Sequence, residues 1–182
     1  RLENFKNHYK GEFTVIDAID GQEWKNTPLF KNWPCLGQSN THTGYKGLQM
    51  SVIKSLKQAR NDNREWAAIF EDDAEPPPDI SFEKVIKTHP DSKVIYMDRR
   101  NKNSGDGIIP QCCMNCVIYH NSTFDFFIKE LHPDTSNHMK NYPGDCLNDW
   151  YIPWLLKKFN IKTSNYPLVK GNKFTSTVSV GN

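Results

Sequence analysis

Apolar residues change their spacing several times along this chain, and each spacing names an element. Leu2, Phe5 and Tyr9 recur at helical intervals, which predicts an amphipathic helix over the first ten residues, ending near Gly11. Phe13-Thr-Val-Ile-Asp-Ala-Ile reads as a β-branched strand closed by Asp20-Gly21. The stretch from there to Gly44 is rich in Asn, Thr, Pro and Gly and carries Trp24, Phe30 and Trp33. It is expected to be a long ordered loop, a kind of segment that often holds function. Leu48, Val52, Ile53, Leu56 and Ala59 then mark one face of a helix over 46–60, with Lys46, Lys54 and Lys57 facing away.

Trp66-Ala-Ala-Ile-Phe70 is apolar without alternation, as in a strand covered on both faces. A helix followed by such a strand suggests a parallel sheet. Phe82 to Lys87 is a short helix, and Lys93-Val-Ile-Tyr-Met-Asp98 is a second apolar strand ending in an acid. Asn103 to Gly107 is a glycine-bearing turn or loop, Asn115 to His120 a third strand, and Ser122 the cap of a helix carrying Phe124, Phe127, Ile128 and Leu131. Residues 132–144 are polar and irregular. Trp150, Trp154 and Leu155 give a helix over 147–159 that Pro153 must kink or restart, and a last strand lies near 165–169. The expected fold is a single α/β domain over 1–182, with a mostly parallel central sheet flanked by helices.

Composition narrows the function classes. The chain has 182 residues, 37% hydrophobic and 24% charged, which suits an ordinary globular domain able to bury a core without staples. A net charge of +2, with scattered basic residues, gives no reason to expect a nucleic-acid partner. No apolar stretch approaches the roughly 18 residues of a membrane span. Five cysteines is an odd number, so a secreted disulfide scaffold is disfavoured and a reducing, cytoplasmic setting is expected. Cys113 and Cys116 have the spacing of half a zinc site, but no second pair completes it, and small buried side chains are the better account. Asn121-Ser-Thr is a formal glycosylation acceptor, although a helix start at Ser122 explains it more simply. The helical pattern is already under way at Arg1, so residues upstream are expected to belong to the same fold.

The chemistry concentrates where the first buried strand ends. Glu71, Asp72, Asp73 and Glu75 follow Phe70 directly, before Pro76-Pro-Pro78. In an open α/β sheet, ligands sit beyond the carboxyl ends of strands. If the strand continued, Glu71 and Asp73 would share one side and Asp72 would face the other. Two hard oxygen donors on one side suit Mg²⁺ or Mn²⁺ holding a diphosphate. The plain alternative is a solvated acidic turn, against which stands the absence of any polar spacer after the apolar run. A second acidic group, Asp145 and Asp149, has the four-residue spacing of one helical face. One of them is accounted for by helix capping, which leaves the other for general base, stabilising or hydroxyl-binding work. Arg99, Arg100 and Lys102 form a small basic group able to meet an anionic ligand.

Four blocks together resemble GT-A glycosyltransferases, most closely the family-25 group of lipopolysaccharide-biosynthesis enzymes and collagen galactosyltransferases. Arg1-Leu-Glu-Asn-Phe through Phe13-Thr-Val-Ile-Asp-Ala-Ile-Asp-Gly21 resembles that family's first helix and second strand, with its Ala-x-Asp-Gly ending. Gly47-Leu-Gln-Met-Ser51 resembles its Gly-Cys-x-x-Ser-His helix start, with Val52 in place of the His. Phe70-Glu-Asp-Asp-Ala74 resembles its Glu-Asp-Asp metal motif, and Asp145 to Asp149 followed by Tyr166-Pro-Leu-Val169 resembles its late acidic motif and last strand. The departures are similar to those of a divergent viral member such as a chlorovirus glycosyltransferase domain. The family's first strand would precede Arg1, so flanking sequence in a larger chain is expected.

The resemblance implies a nucleotide-sugar donor, usually a UDP-sugar, a glycan or other hydroxyl acceptor, and Mn²⁺ or Mg²⁺ bridging motif and diphosphate. Asp73 is then a metal ligand and Glu71 a second ligand or a partner of the ribose. Asp72 and Arg99 are donor-binding candidates, and Asp149, with Asp145 second, is the acceptor-side acid. Trp24, Trp33, Tyr45, Trp150 and Tyr151 could present faces to a sugar, although core packing is the commoner use of such rings. The loop over 101–107 is a candidate lid. Two other readings use the same carboxylates: a metal-dependent phosphohydrolase or nucleotidyltransferase, and a non-catalytic sugar-binding module.

Overall fold

The computed structural model describes residues 2–34, 43–99, 115–144 and 148–171. Contacts divide the chain into two compact units. One comprises the described parts of Arg1–Thr14, Trp66–His120 and Pro153–Thr175, and the other those of Val15–Glu65 and Asn121–Ile152.

The first unit holds a mixed sheet flanked by helices. Its strands are β1 (Trp66–Phe70), β2 (Ala74–Glu75), β3 (Val94–Asp98), β4 (Cys116–His120) and β5 (Thr163–Gly171), in the order β1-β4-β3-β5-β2. Among the described residues only β3 and β5 pair in parallel, whereas β1 with β4, β3 with β4, and β2 with β5 are antiparallel. The expectation of a mostly parallel sheet therefore fails. β4 lies beside β3 in the opposite direction, and the sequence between Asp98 and Cys116 carries no helical pattern of the kind that predicts a crossover. β1 and β3 consequently run the same way, so both end at the edge where β4 begins.

β3 and β4 are buried along almost their whole length, as their Val-Ile-Tyr runs predict. β1 lies at the edge of the sheet and is only half-buried, with Ala68 exposed, so its unbroken apolar run does not mean cover on both faces. On one face Ile95, Met97, Cys116, Ile118 and Val169 pack with Phe5 of α1 (Leu2–His8) and with Val85, the middle residue of the helix Phe82–Thr88. Phe5 meets Phe70 at 5.1 Å and Phe13 at 5.2 Å between ring centroids, which joins α1 to β1. The β3–β5 register shifts beyond Tyr96, beside Pro167, which has no N–H to give the ladder.

The second unit is helical in its described residues. It contains α2 (Gly21–Trp24), α3 (Pro28–Lys31), α4 (Thr43–Asn61), α6 (Phe124–Glu130) and the first turn of α7 (Asn148–Lys158); Phe82–Thr88 of the first unit is α5. α4 buries Val52, Ile53 and Leu56, as its spacing predicts. Lys46 departs from that pattern. It is 4% exposed, its Nζ donates to the Phe30 carbonyl at 2.8 Å, and the Phe30 and Trp33 rings flank it at 5.9 and 5.7 Å. Burial pushes its pKa down.

No strand forms over 13–19. α4 side chains hold this segment instead, with Ser51 Oγ accepting from the Ile19 N–H at 2.8 Å and Lys54 Nζ donating to the Asp17 carbonyl at 2.9 Å. An added Cβ at Gly47 would collide with the Ile19 carbonyl, and one at Gly21 with the Thr43 carbonyl. Both glycines are needed for this close approach of backbones. The long loop is broken by α2, capped by Asp20, and by α3, capped by Thr27. At α6 a 3-10 turn over Asn121–Thr123 takes the place of the expected Ser122 cap.

Candidate functional site

The acidic stretch begins as a continuation of β1 and then turns. The Glu71 N–H donates to the Asn115 carbonyl at 3.0 Å, one residue past the Phe70–Cys116 pair. The Ala74 N–H then donates to the Glu71 carbonyl at 3.1 Å, closing a turn over Glu71-Asp72-Asp73-Ala74 that leads into β2. Strand alternation therefore stops at Glu71. The turn nonetheless leaves Glu71 and Asp73 half-buried and Asp72 exposed, the partition that alternation had predicted for a different reason.

Asn115 organises this corner. It is 3% exposed, and its Nδ2 donates to Asp73 Oδ1 at 2.8 Å while its carbonyl holds the Glu71 backbone. β3 ends in Asp98 at the same end of the sheet, where β1 ends and β4 begins. Asp98 is fully buried, and Arg99 follows it, exposed, at the same edge. Glu75, the fourth acid, turns toward α1, where it accepts from Asn4 Nδ2 at 3.5 Å.

Sequence reasoning missed Asn115. Its signal was its place directly before the Cys116 strand. An antiparallel return would have set it against Glu71, but the assumption of a parallel sheet concealed that pairing. Cys116 itself is buried, and burial, reinforced by the charge of Asp98, pushes its thiol pKa well up. Its role as a small packed side chain agrees with expectation; Cys112 and Cys113 lie outside the described residues.

Among the described residues, no three His, Cys, Asp or Glu side chains form a metal-holding group. Glu71 and Asp73 offer two hard carboxylates, one of them braced by a buried amide. That set fits Mg²⁺ or Mn²⁺, which takes one or two protein carboxylates and completes its shell with water and phosphate oxygens.

In the second unit, Asp149 is half-buried in the first turn of α7. α7 is described from Asn148 onward, so the expected face shared with Asp145 falls outside the described residues. Asp145 lies outside the described residues, as do Arg100, Lys102 and the candidate lid over 101–107. α7 runs through Pro153 without a break, so the i→i−4 bond that would reach the Asp149 carbonyl is missing. Of the candidate sugar-facing aromatics, Trp33 and Tyr151 are buried and Trp24 and Tyr45 partly so, whereas Trp150 is 50% exposed.

No helix among the described residues is long and apolar enough to cross a membrane. No protein-family model matches the chain, and no curated protein matches it.

Proposed function

We propose that this chain is a metal-dependent glycosyltransferase of GT-A type, moving a sugar from a nucleotide-diphosphate donor, a UDP-sugar, to a hydroxyl of a glycan acceptor. The observation that carries the reading is the Asn115 brace. Holding Asp73 by its side chain and Glu71 by its backbone would orient two acids for a task beyond a solvated turn. The site lies at strand ends, where α/β sheets present ligands.

Asp73 and Glu71 would hold Mn²⁺ or Mg²⁺, which when bound supplies neutralisation of the charge that builds on the departing diphosphate. Arg99 would pair with phosphate oxygens and Asp72 would accept from donor hydroxyls, and both are exposed. Asp149 would act on the acceptor side, taking the hydroxyl proton in an inverting reaction or stabilising the oxocarbenium-like centre in a retaining one. The exposed Trp150 ring beside it offers a face to a pyranose. A reducing, cytoplasmic compartment accords with the buried free thiol of Cys116.

The test is a transfer assay with a panel of UDP-sugars and glycan acceptors, in Mn²⁺ and in EDTA. Turnover should appear in Mn²⁺ and fall at least about a hundredfold in EDTA and in Asp73→Asn. Asp149→Asn should lose turnover yet keep nucleotide binding. Turnover indifferent to chelation, or release of product to water alone whatever acceptor is present, would contradict the reading.

A further inference from the structure

Within the second unit a buried polar chain links three segments, and the site described above makes no use of it. Glu130, at the end of α6, is 3% exposed. Its Oε2 accepts from Ser136 Oγ at 3.0 Å and lies 2.9 Å from His138 Nδ1, while Lys129 Nζ is 3.9 Å from Oε1. Ser136 Oγ is also 3.0 Å from the Tyr151 hydroxyl on α7, and it accepts from the backbone N–H groups of His138 and Met139 at 3.2 and 3.0 Å. Because the Ser136 proton points to the carboxylate, the Tyr151 hydroxyl must be the donor to Ser136. The order is then Tyr151 to Ser136 to Glu130, with His138 meeting the same carboxylate oxygen.

We propose that Glu130 is a positioning residue that, through Ser136 and the Tyr151 hydroxyl, fixes the first turn of α7 and with it Asp149. The role of Asp149 rests on the glycosyltransferase reading; the tether itself does not. Three observations converge on it. A buried carboxylate is costly without polar partners, and here the Ser136 hydroxyl and the His138 imidazole both meet Oε2, with the Lys129 ammonium 3.9 Å from Oε1. α7 lacks the helical bond from position 153 to the Asp149 carbonyl, so its first turn depends more than usual on side-chain anchoring. Tyr151 is two residues from Asp149 and fully buried, with its ring against Tyr142 at 5.2 Å, and burial raises its hydroxyl pKa so that it stays a donor. A small misplacement of a reacting group is known to cost orders of magnitude in rate.

The experiment compares wild type with Tyr151→Phe, Ser136→Ala, Ser136→Thr and Glu130→Gln by amide hydrogen exchange and by transfer kinetics. Tyr151→Phe keeps the ring and removes only the tether. Exchange at the first-turn amides of α7 should speed up in Tyr151→Phe, Ser136→Ala and Glu130→Gln, with α4 unchanged. Ser136→Thr, which keeps the hydroxyl, should restore the wild-type pattern. In kinetics, kcat should fall about tenfold or more in the first three, with UDP–Mn²⁺ affinity within about twofold of wild type.

Unchanged exchange in Tyr151→Phe and Ser136→Ala would overturn the tether, as would faster exchange spread evenly over the unit. Faster local exchange with unchanged kcat would overturn its link to Asp149. If wild type performs no transfer while the local pattern appears, the tether stands and the glycosyltransferase reading fails.

Discussion

Asn115 makes two bonds to the acidic turn from a position that solvent barely reaches. Asn115→Ala removes the bond to Asp73 Oδ1, and a net loss of roughly 1 kcal/mol of stability is expected from that bond alone. The larger effect belongs to the site. Mn²⁺ affinity should drop about 10- to 100-fold, the usual cost of losing a group that orients a metal ligand. Metal titration of the two proteins under identical conditions checks this, and equal affinities would deny Asn115 the role. Cys116 is a second single-residue test. Burial raises its pKa and closes off access, so a thiol-alkylating reagent should leave it unmodified in the native protein near pH 8 and label it only after denaturation. Peptide mapping reads the difference.

At the level of elements, the long helix was legible because five apolar residues repeat at its period. Leu56, fully buried at its centre, should cost about 2–5 kcal/mol on Leu56→Ala, measured by denaturant unfolding. The strands β3 and β4 were legible from β-branched and aromatic runs, whereas the turn over Glu71-Asp72-Asp73-Ala74 was not, because alternation was carried past Glu71. Nor was the direction of the strands. Local pattern gives an element's type, whereas parallel or antiparallel entry depends on what lies between strands, and residues 100–114 carried no period to read. The segment 13–19 has a strand's composition, but Ser51 and Lys54 side chains bind its backbone where a neighbouring strand would have been needed. Lys46 misled in the same way. A lysine on a helical period is taken as solvated, yet a carbonyl and two rings accept it inside.

Over the whole molecule, buried hydroxyls set the alkaline limit. Burial raises the pKa values of Tyr119 in the sheet and Tyr151 on α7 well above their ordinary value of about 10. A raised folded pKa contributes stability that is present below about pH 10 and is lost as pH rises further, because the unfolded chain then ionises first. Denaturant midpoints should therefore decline above about pH 10, with these two tyrosines remaining un-ionised until the chain unfolds. Tyrosinate absorbance that rose fully while the fold persisted would contradict the burial. The central claim is that the Glu71–Asp73 corner, braced by Asn115, binds a divalent cation together with a nucleoside diphosphate. The most direct measurement is thermal unfolding of wild type and Asp73→Ala with UDP, each in Mn²⁺ and in EDTA. Ligand at about 100 times its dissociation constant stabilises by about 2.7 kcal/mol, enough for a clear shift in Tm. The account predicts that shift for wild type with UDP and Mn²⁺ together, and none in EDTA or in Asp73→Ala. An equal shift in all four conditions, or none in wild type, would contradict it.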